Sequence, residues 1–219
     1  LPVRHDPAAP TLTNEVTTIA AFDPDVFISM TAGNPCLLAI QEVEASGLYD
    51  RLSAAFTPSV CKGIAAYLAP AGMAADGYWI VGGGAKDTTD SGKMDEPFIA
   101  FARDLISDAG EDAGISLTGE GVFRGYAFTE AFRIADALPG GMSRTNLMLA
   151  LRNFKIYHPG LLDGLVTELK GNADAYFVEG SEYSKFNATD QTWEMIGDVV
   201  DANGGTPNCR WDKANGGCR

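Results

Sequence analysis

The chain has 219 residues, 46% hydrophobic and 10% aromatic, enough to build the core of one large domain or two small ones. Its formal net charge of −13 repels phosphate backbones and anionic membrane surfaces, which argues against nucleic acid as a partner. No stretch approaches the roughly 20 consecutive apolar residues of a membrane-spanning helix, and the first residues lack the apolar core of a signal peptide. We therefore expect a soluble globular chain from which any export signal has been removed.

The first third of the sequence alternates helix and strand signals. Mostly apolar strand patterns occur at 25–30, 52–56 and 78–81. Helix patterns occur at 12–22, 35–46 and 61–68. Asn34 and Pro35 suit the N-cap and first position of the second helix, and the first strand is of the kind that is buried on both faces. Alternation with such short connections predicts a parallel sheet with right-handed crossovers.

The pattern changes at the glycine triplet 82–84, which is followed by a polar run from 86 to 95. We interpret this stretch as a crossover between two lobes. Helix patterns follow at 98–109, 122–138 and 143–154. Strand patterns return at 176–178, 182–186 and 192–196.

The chain has four cysteines, at positions 36, 61, 209 and 218. None has the two-residue spacing that marks zinc sites or redox pairs, and His5 and His158 cannot complete a metal cluster, so we predict no metal and no cofactor. The even count fits disulfides in an oxidising compartment, and four unpaired buried thiols are the alternative. Pairs that are neighbours in sequence, Cys36 with Cys61 and Cys209 with Cys218, are the expected ones.

Two strand-to-helix turns are candidates for a ligand site, because ligands of open parallel sheets bind beyond the carboxyl ends of strands. After the first strand, Gly33 lets a ligand approach the backbone, and Thr31 and Asn34 supply hydrogen bonds. After the second strand, Phe56 and Thr57 place an aromatic ring beside a hydroxyl. The alternative for both is that these residues only form the turn and cap the helix.

Catalytic motifs are not visible in the sequence. There is no Gly-x-Ser-x-Gly elbow, and the glycine triplet lacks the Lys-Ser/Thr of a phosphate-binding loop. The strand-to-helix turns carry neither a histidine nor an acidic pair. We therefore predict a binding protein rather than an enzyme, with no catalytic residues.

Several segments in order resemble one family. They are EVTTIAAFDPDVF at 15–27, GNPC at 33–36, SVC at 59–61, SRTNLM at 143–148 and PNC at 207–209. Together they resemble the C-terminal portion of extracytoplasmic solute-binding proteins of ABC transporters, of the branched-chain amino acid-binding (type I) family. The similarity spans nearly the whole chain, and the cysteine-bearing segments resemble a subgroup in which those cysteines pair.

The resemblance implies an α/β fold of the type I periplasmic-binding-protein class. Such a fold has two lobes, each a parallel sheet flanked by helices, and this chain would lack the N-terminal part. Residues 1–81 would form the first part of the second lobe, and 82–155 the helical part of the first lobe, reached by a crossover. Residues 156–219 would supply the return strands of the second lobe and a disulfide-stapled tail.

The resemblance also implies a function. The protein would capture a small polar solute, such as a branched-chain amino acid or a related compound, for an ABC transporter. Its partners would be the solute, the transporter permease and the missing N-terminal half, and its location the periplasm or the cell-envelope exterior, compatible with a lipid anchor on the missing part. A ligand-binding sensor or receptor domain of the same fold is the alternative, and an α/β enzyme is the weaker one.

Carried over residue by residue, the family's contacts fall on the same two turns. A second-lobe contact to the ligand falls on the turn that contains Thr31, Gly33 and Asn34, and an aromatic wall from the first lobe corresponds to Phe123. An acidic residue that often binds the ligand's ammonium group falls near Phe56 and Thr57, and neither of these is acidic. This departure weakens the expectation of an ordinary α-amino acid as ligand.

Overall fold

The structure is a computed structural model that describes residues 1–171, 173–205, 211–212, 214 and 216–218. The first third contains α1 (Thr13–Ala20), β1 (Val26–Ile28), α2 (Asn34–Ala45), β2 (Ala54–Thr57) and β3 (Trp79–Val81). The middle third contains α3 (Pro97–Asp108), α4 (Ser116–Ala137) and α5 (Arg144–Arg152). The last third contains β4 (Lys155–Ile156), β5 (Thr167–Glu168), β6 (Tyr183–Asn187), β7 (Thr192–Met195), β8 (Trp211–Asp212) and β9 (Gly217–Cys218).

The main sheet has five strands in the order β1-β2-β3-β6-β7. Strands β1, β2 and β3 run parallel, which confirms the predicted parallel sheet. Strands β6 and β7 are antiparallel additions, joined by a tight turn. The sheet is therefore mixed, with its parallel part at the β1 edge.

One face of this sheet carries the main core. Phe27, Ala55, Ile80 and Phe186 point into it, where α2 and the helical turns that precede β3 pack against them. Side chains on a strand alternate between faces, so the residues between these four point to the opposite side. The sheet thus has one face that is covered by helices.

The helical stretch predicted in the middle of the chain is confirmed, although α4 begins at Ser116 rather than at 122. Gly119 lies in the first turn of α4, which passes so close to Thr88 that a Cβ at this position would clash with the Thr88 side chain. Ile99 and Ala102 of α3 pack with Phe123 of α4 in a second, smaller apolar cluster.

Three local predictions are wrong. Residues 61–68 do not form an α-helix: short 3-10 and π turns run from Ser59 to Ala75, interrupted at Gly72, whose φ is +61°. Residues 176–178 are not a strand; Phe177 instead stacks on Phe154 at 5.3 Å between ring centroids. Strand β1 is not buried on both faces, since Val26 and Ile28 are exposed.

The disulfide between Cys36 and Cys61 is present, with the two Cα atoms 5.6 Å apart, and confirms that predicted pair. It joins the first turn of α2 to the turn after β2. The predicted Cys209–Cys218 pair is not tested, because Cys209 lies outside the described residues. In the part of the chain that the structure describes, no helix combines the length and apolar character needed to cross a bilayer.

Candidate functional site

A cavity of about 480 Å³ lies at the carboxyl ends of β2 and β3. Ser59 and Val60 follow β2 directly, and Gly82 and Gly83 follow β3; all four line the cavity. Open parallel sheets place ligands at this position, because the strand ends leave room there between the connecting segments. The geometry makes this cavity the candidate binding site.

Helix α4 and the segments after α5 form the apolar walls of the cavity. The aromatic members of these walls are Phe123, Phe128, Phe154 and Phe177. Aliphatic side chains of Leu151, Leu161 and Leu169 fill the spaces between the rings. A cavity walled in this way holds the apolar part of a small molecule by contact and excludes water from it.

The position of Phe123 is fixed by His158. The Nε2 atom of His158 donates to the carbonyl oxygen of Phe123 at 2.9 Å, while its Nδ1 accepts the N–H of Gly160 at 3.2 Å. A Cβ at Gly160 would press within 3.0 Å of both Phe123 and Phe98. Burial lowers the pKa of His158, and the accepting Nδ1 requires the neutral ring. The uncharged His158 side chain therefore links the segment after α5 to α4 through a hydrogen bond.

A buried ion pair contacts the glycine triplet, whose first two residues line the cavity. Lys62 Nζ contacts Glu182 Oε1 and donates to the carbonyl of Ala85 at 2.5 Å, and the N–H of Gly84 donates to Glu182 Oε2 at 2.8 Å. A Cβ at Gly82 would clash with the Glu182 carboxylate. The glycine triplet is therefore held against β6 by a specific contact and is not a loose linker.

The first predicted turn lies beside the disulfide. Thr31 is buried, its Oγ1 lies 2.7 Å from Ser29 Oγ and 3.6 Å from Cys61 Sγ, and it lines a separate groove along β1. Gly33 has φ +67° and forms the N-cap of α2, so the predicted N-cap at Asn34 is wrong by one residue: Asn34 is the first helical residue and is exposed. The three residues lie together at the start of α2.

The second predicted turn divides between the two faces of the sheet. Thr57 points into the covered face, where its Oγ1 has no hydrogen-bond partner among the described residues. Phe56 points to the opposite face and packs on Trp79, with ring centroids 6.1 Å apart. The two side chains therefore do not converge on one point.

Of the six predicted site residues, Phe123 lines the cavity, and the other five do not. Thr31 is connected to the cavity wall through Cys61, which lies two residues after the lining Ser59. Sequence reasoning missed Gly82, Gly83 and His158 as lining residues. The rule that ligands lie at strand ends applies to β3 as well as to β1 and β2, and it points to the glycine pair.

The cavity has the chemistry of a binding site. Its charged side chains, Glu120 and Arg124, form a mostly exposed ion pair at 3.5 Å on α4. Among the described residues no group of three or more His, Cys, Asp or Glu side chains is placed to hold a metal ion. The arrangement offers shape, aromatic contact and exclusion of water.

Several solved structures of ABC transporter components have a similar fold. A branched-chain amino acid ABC transporter protein from Thermus thermophilus with bound valine aligns with a TM-score of 0.71 and 14% identity, over 87% of this chain and 49% of its own. A solute-binding protein from Rhodopseudomonas palustris HaA2 in complex with p-hydroxybenzoic acid aligns with a TM-score of 0.64 and 14% identity, over 91% and 51%.

The leucine-, isoleucine-, valine-, threonine- and alanine-binding protein from Brucella ovis, in its closed conformation, aligns with a TM-score of 0.62 and 15% identity, over 94% of this chain and 50% of its own. No family model and no curated protein matches the sequence. The chain spans about half the length of the structures that it matches. It therefore shares the type I periplasmic-binding-protein fold over part of that fold, which confirms the predicted fold class.

Proposed function

We propose that this chain is the C-terminal part of an extracytoplasmic solute-binding protein that captures a small solute for an ABC transporter. The observation that carries the proposal is the cavity of about 480 Å³ at the carboxyl ends of β2 and β3, with the aromatic ring of Phe123 in its wall. The valine and p-hydroxybenzoic acid bound by two of the similar structures support a solute of that size and chemical class. The role is binding and release rather than catalysis.

The proposed lobes follow the division made from the sequence. Residues 1–81 and 156–219 form the second lobe, and 82–155 belong to the first. The main apolar cluster is built from residues between Leu12 and Trp193 that lie outside the helical stretch, while Ile99, Ala102 and Phe123 form a cluster of their own. Two separate clusters, the smaller of which contains the cavity-lining Phe123, suit two bodies that close on a ligand.

The Cys36–Cys61 disulfide supports an extracytoplasmic location, since such bonds persist in oxidising compartments. The proposed partners are the transporter permease, the solute and the N-terminal half of the same protein. That half would complete the first lobe and the opposite wall of the cavity.

The proposed solute contacts are Thr31, Gly33, Asn34, Phe56, Thr57 and Phe123. Thr31 and Gly33 would reach the solute from the disulfide side of the cavity, because Cys61 lies between Thr31 and the lining turn. Phe123 would pack against its apolar part. The buried hydroxyl of Thr57 has no hydrogen-bond partner among the described residues.

Titration calorimetry of the full-length gene product tests this function with L-valine, L-leucine and p-hydroxybenzoic acid as probes. We expect micromolar or tighter binding of one of them, and we expect Phe123→Leu to weaken it roughly fivefold, because an aromatic contact contributes about 1 kcal/mol beyond its area. Leucine keeps the apolar cluster filled, so the variant is expected to fold.

The matched control is Phe101→Leu on α3, an exposed phenylalanine that does not line the cavity. It should leave the dissociation constant unchanged. Equal effects of the two substitutions would show that Phe123 does not touch the solute, and turnover of any probe would show that the protein is an enzyme.

A further inference from the structure

Two segments connect the main sheet to the helical part of the chain. The chain leaves the sheet after β3 through 82–86 and returns to it at β6 through 179–182. These connecting segments lie side by side, since the N–H of Gly82 donates to the carbonyl of Glu182 at 3.0 Å. In the two-lobe division of the proposed function, both segments bend when the lobes close on a solute. Contacts that hold the segments together therefore restrain that motion.

Leu165 occupies the space between the connecting segments. A Cβ at Gly84 would clash with one of its δ-methyl groups, and a Cβ at Gly180 would clash with the other. Leu165 belongs to the loop 160–166, in which the N–H of Leu162 also donates to the carbonyl of Gly84 at 2.9 Å. One leucine side chain thus packs against both connecting segments at once.

The chain after β7 returns to the same place. Ser181 and Val200 exchange two backbone hydrogen bonds, both 2.9 Å long. The next residue, Asp201, accepts the N–H of Val166 with its Oδ2 atom at 2.8 Å. Val200 and Asp201 therefore join the second connecting segment to the loop that carries Leu165.

The segments that meet at Leu165 also form one wall of the cavity. The lining residues on them are Gly82, Gly83 and Ala85 on the first connecting segment, Leu161 in the loop, and Val178 directly before the second connecting segment. A wall whose segments move independently must be ordered when a solute binds, and that ordering weakens the affinity. The contacts around Leu165 keep the wall ordered before the solute arrives.

We propose that Val200 and Asp201 form a strap that holds Leu165 between the connecting segments and so keeps this wall of the cavity in place. Asp201 is a positioning residue, because it acts through the loop and does not itself line the cavity. The proposal rests on the proposed function for the cavity and its two lobes. The alternative is that the strap adds only to the overall stability of the fold, and local and global measurements separate the two.

Amide hydrogen exchange of the full-length gene product tests the strap. The reporter is the N–H of Leu162, whose hydrogen-bond partner is Gly84 and not the strap. The reference is the N–H of Phe186, which donates to the carbonyl of Tyr78 at 2.8 Å inside the main sheet. Asp201→Ala should speed up the exchange of Leu162 roughly tenfold, the effect of losing one hydrogen bond to a charged group, and leave that of Phe186 unchanged.

Leu165→Ala tests the same contact from the other side. It should also speed up the exchange of Leu162 roughly tenfold. The double variant Leu165→Ala/Asp201→Ala should exchange no faster than the single variants, because both changes release one contact. The matched control is Asp198→Ala, at an exposed position of the same segment after β7, which should change neither amide.

Three outcomes of the exchange measurement would overturn the proposal. The first is an unchanged exchange rate of Leu162 in Asp201→Ala. The second is an equal acceleration of Leu162 and Phe186, which would show that Asp201 contributes only to overall stability. The third is an additive effect of the two substitutions, which would show that Asp201 does not act through Leu165.

Calorimetry with L-valine, L-leucine and p-hydroxybenzoic acid extends the test to the cavity. Asp201→Ala should weaken the binding of a probe roughly threefold to tenfold, and Asp198→Ala should leave it unchanged. Equal dissociation constants of Asp201→Ala and the parent protein would show that the strap does not act on the cavity. Hydrogen exchange needs no solute, so a failure of all three probes to bind would count against the proposed function alone.

Discussion

Replacing Glu182 with glutamine should destabilise the protein far more than its change of one atom suggests. The Glu182 side chain is 1% exposed, and its two oxygens accept from Lys62 and from the N–H of Gly84. A glutamine has one oxygen, so its NH₂ group would face either the ammonium or the backbone N–H. The variant thus leaves a buried donor without an acceptor and Lys62, 11% exposed, without its counter-ion.

Breaking a buried pair in this way costs about 3–5 kcal/mol, against about 0.2–1 kcal/mol for an exposed pair. The control is Glu130→Gln, which removes the partner of the exposed Arg133. Urea unfolding followed by circular dichroism measures both free energies, provided that the slope with urea stays the same.

A double variant isolates the contact between the two side chains. In Lys62→Met/Glu182→Gln the amide oxygen is free to accept from Gly84, so the double variant should be more stable than the sum of the single losses by about 2 kcal/mol. A Glu182→Gln variant that loses no more stability than Glu130→Gln would show that the pair is solvated and does not hold the glycine triplet.

Two further predictions concern stability. Replacing both Cys36 and Cys61 with serine should lower the free energy of unfolding by about 3.5 kcal/mol, from the entropy of a loop with a sequence separation of 25; a loss below about 1 kcal/mol would contradict it. Because burial lowers the pKa of His158, the unfolded state binds more protons, so stability should fall as the pH drops below about 6.5. In urea unfolding at pH 7, 6 and 5, His158→Gln should reduce the loss of unfolding free energy with falling pH. An unchanged pH dependence would contradict a neutral His158 in the folded protein.

The parts of the fold that follow local rules could be predicted from the sequence. Helices α1, α2, α3 and α5 lie where periodicity indicates, because their apolar residues repeat at the spacing of a single buried face. Strands β1 to β3 lie where short apolar runs between turn residues indicate them. The start of α4 could not be predicted, because a glycine such as Gly119 indicates the end of a helix until its close approach to Thr88 is known. Tertiary contact decides such positions, and a single sequence does not contain it.

The candidate site was harder to predict than the fold. Residue type suggested Thr31 and Gly33, which lie at a strand end but do not line the cavity, while the lining Gly82 reads as a flexible linker. Its role depends on Glu182, which lies a hundred residues later in the chain and leaves no local pattern. Long-range partners of this kind are visible only once the sheet order is known.

The polar groups around the cavity explain why its second wall matters. Both ring nitrogens of His158 are engaged, the N–H of Gly83 donates to Ser181 at 2.9 Å, and Arg124 pairs with Glu120. A polar solute that enters this cavity leaves water and must find hydrogen bonds in exchange, since each one lost costs free energy. The described walls hold it chiefly by apolar contact, so we expect tight binding to require donors and acceptors from the N-terminal half.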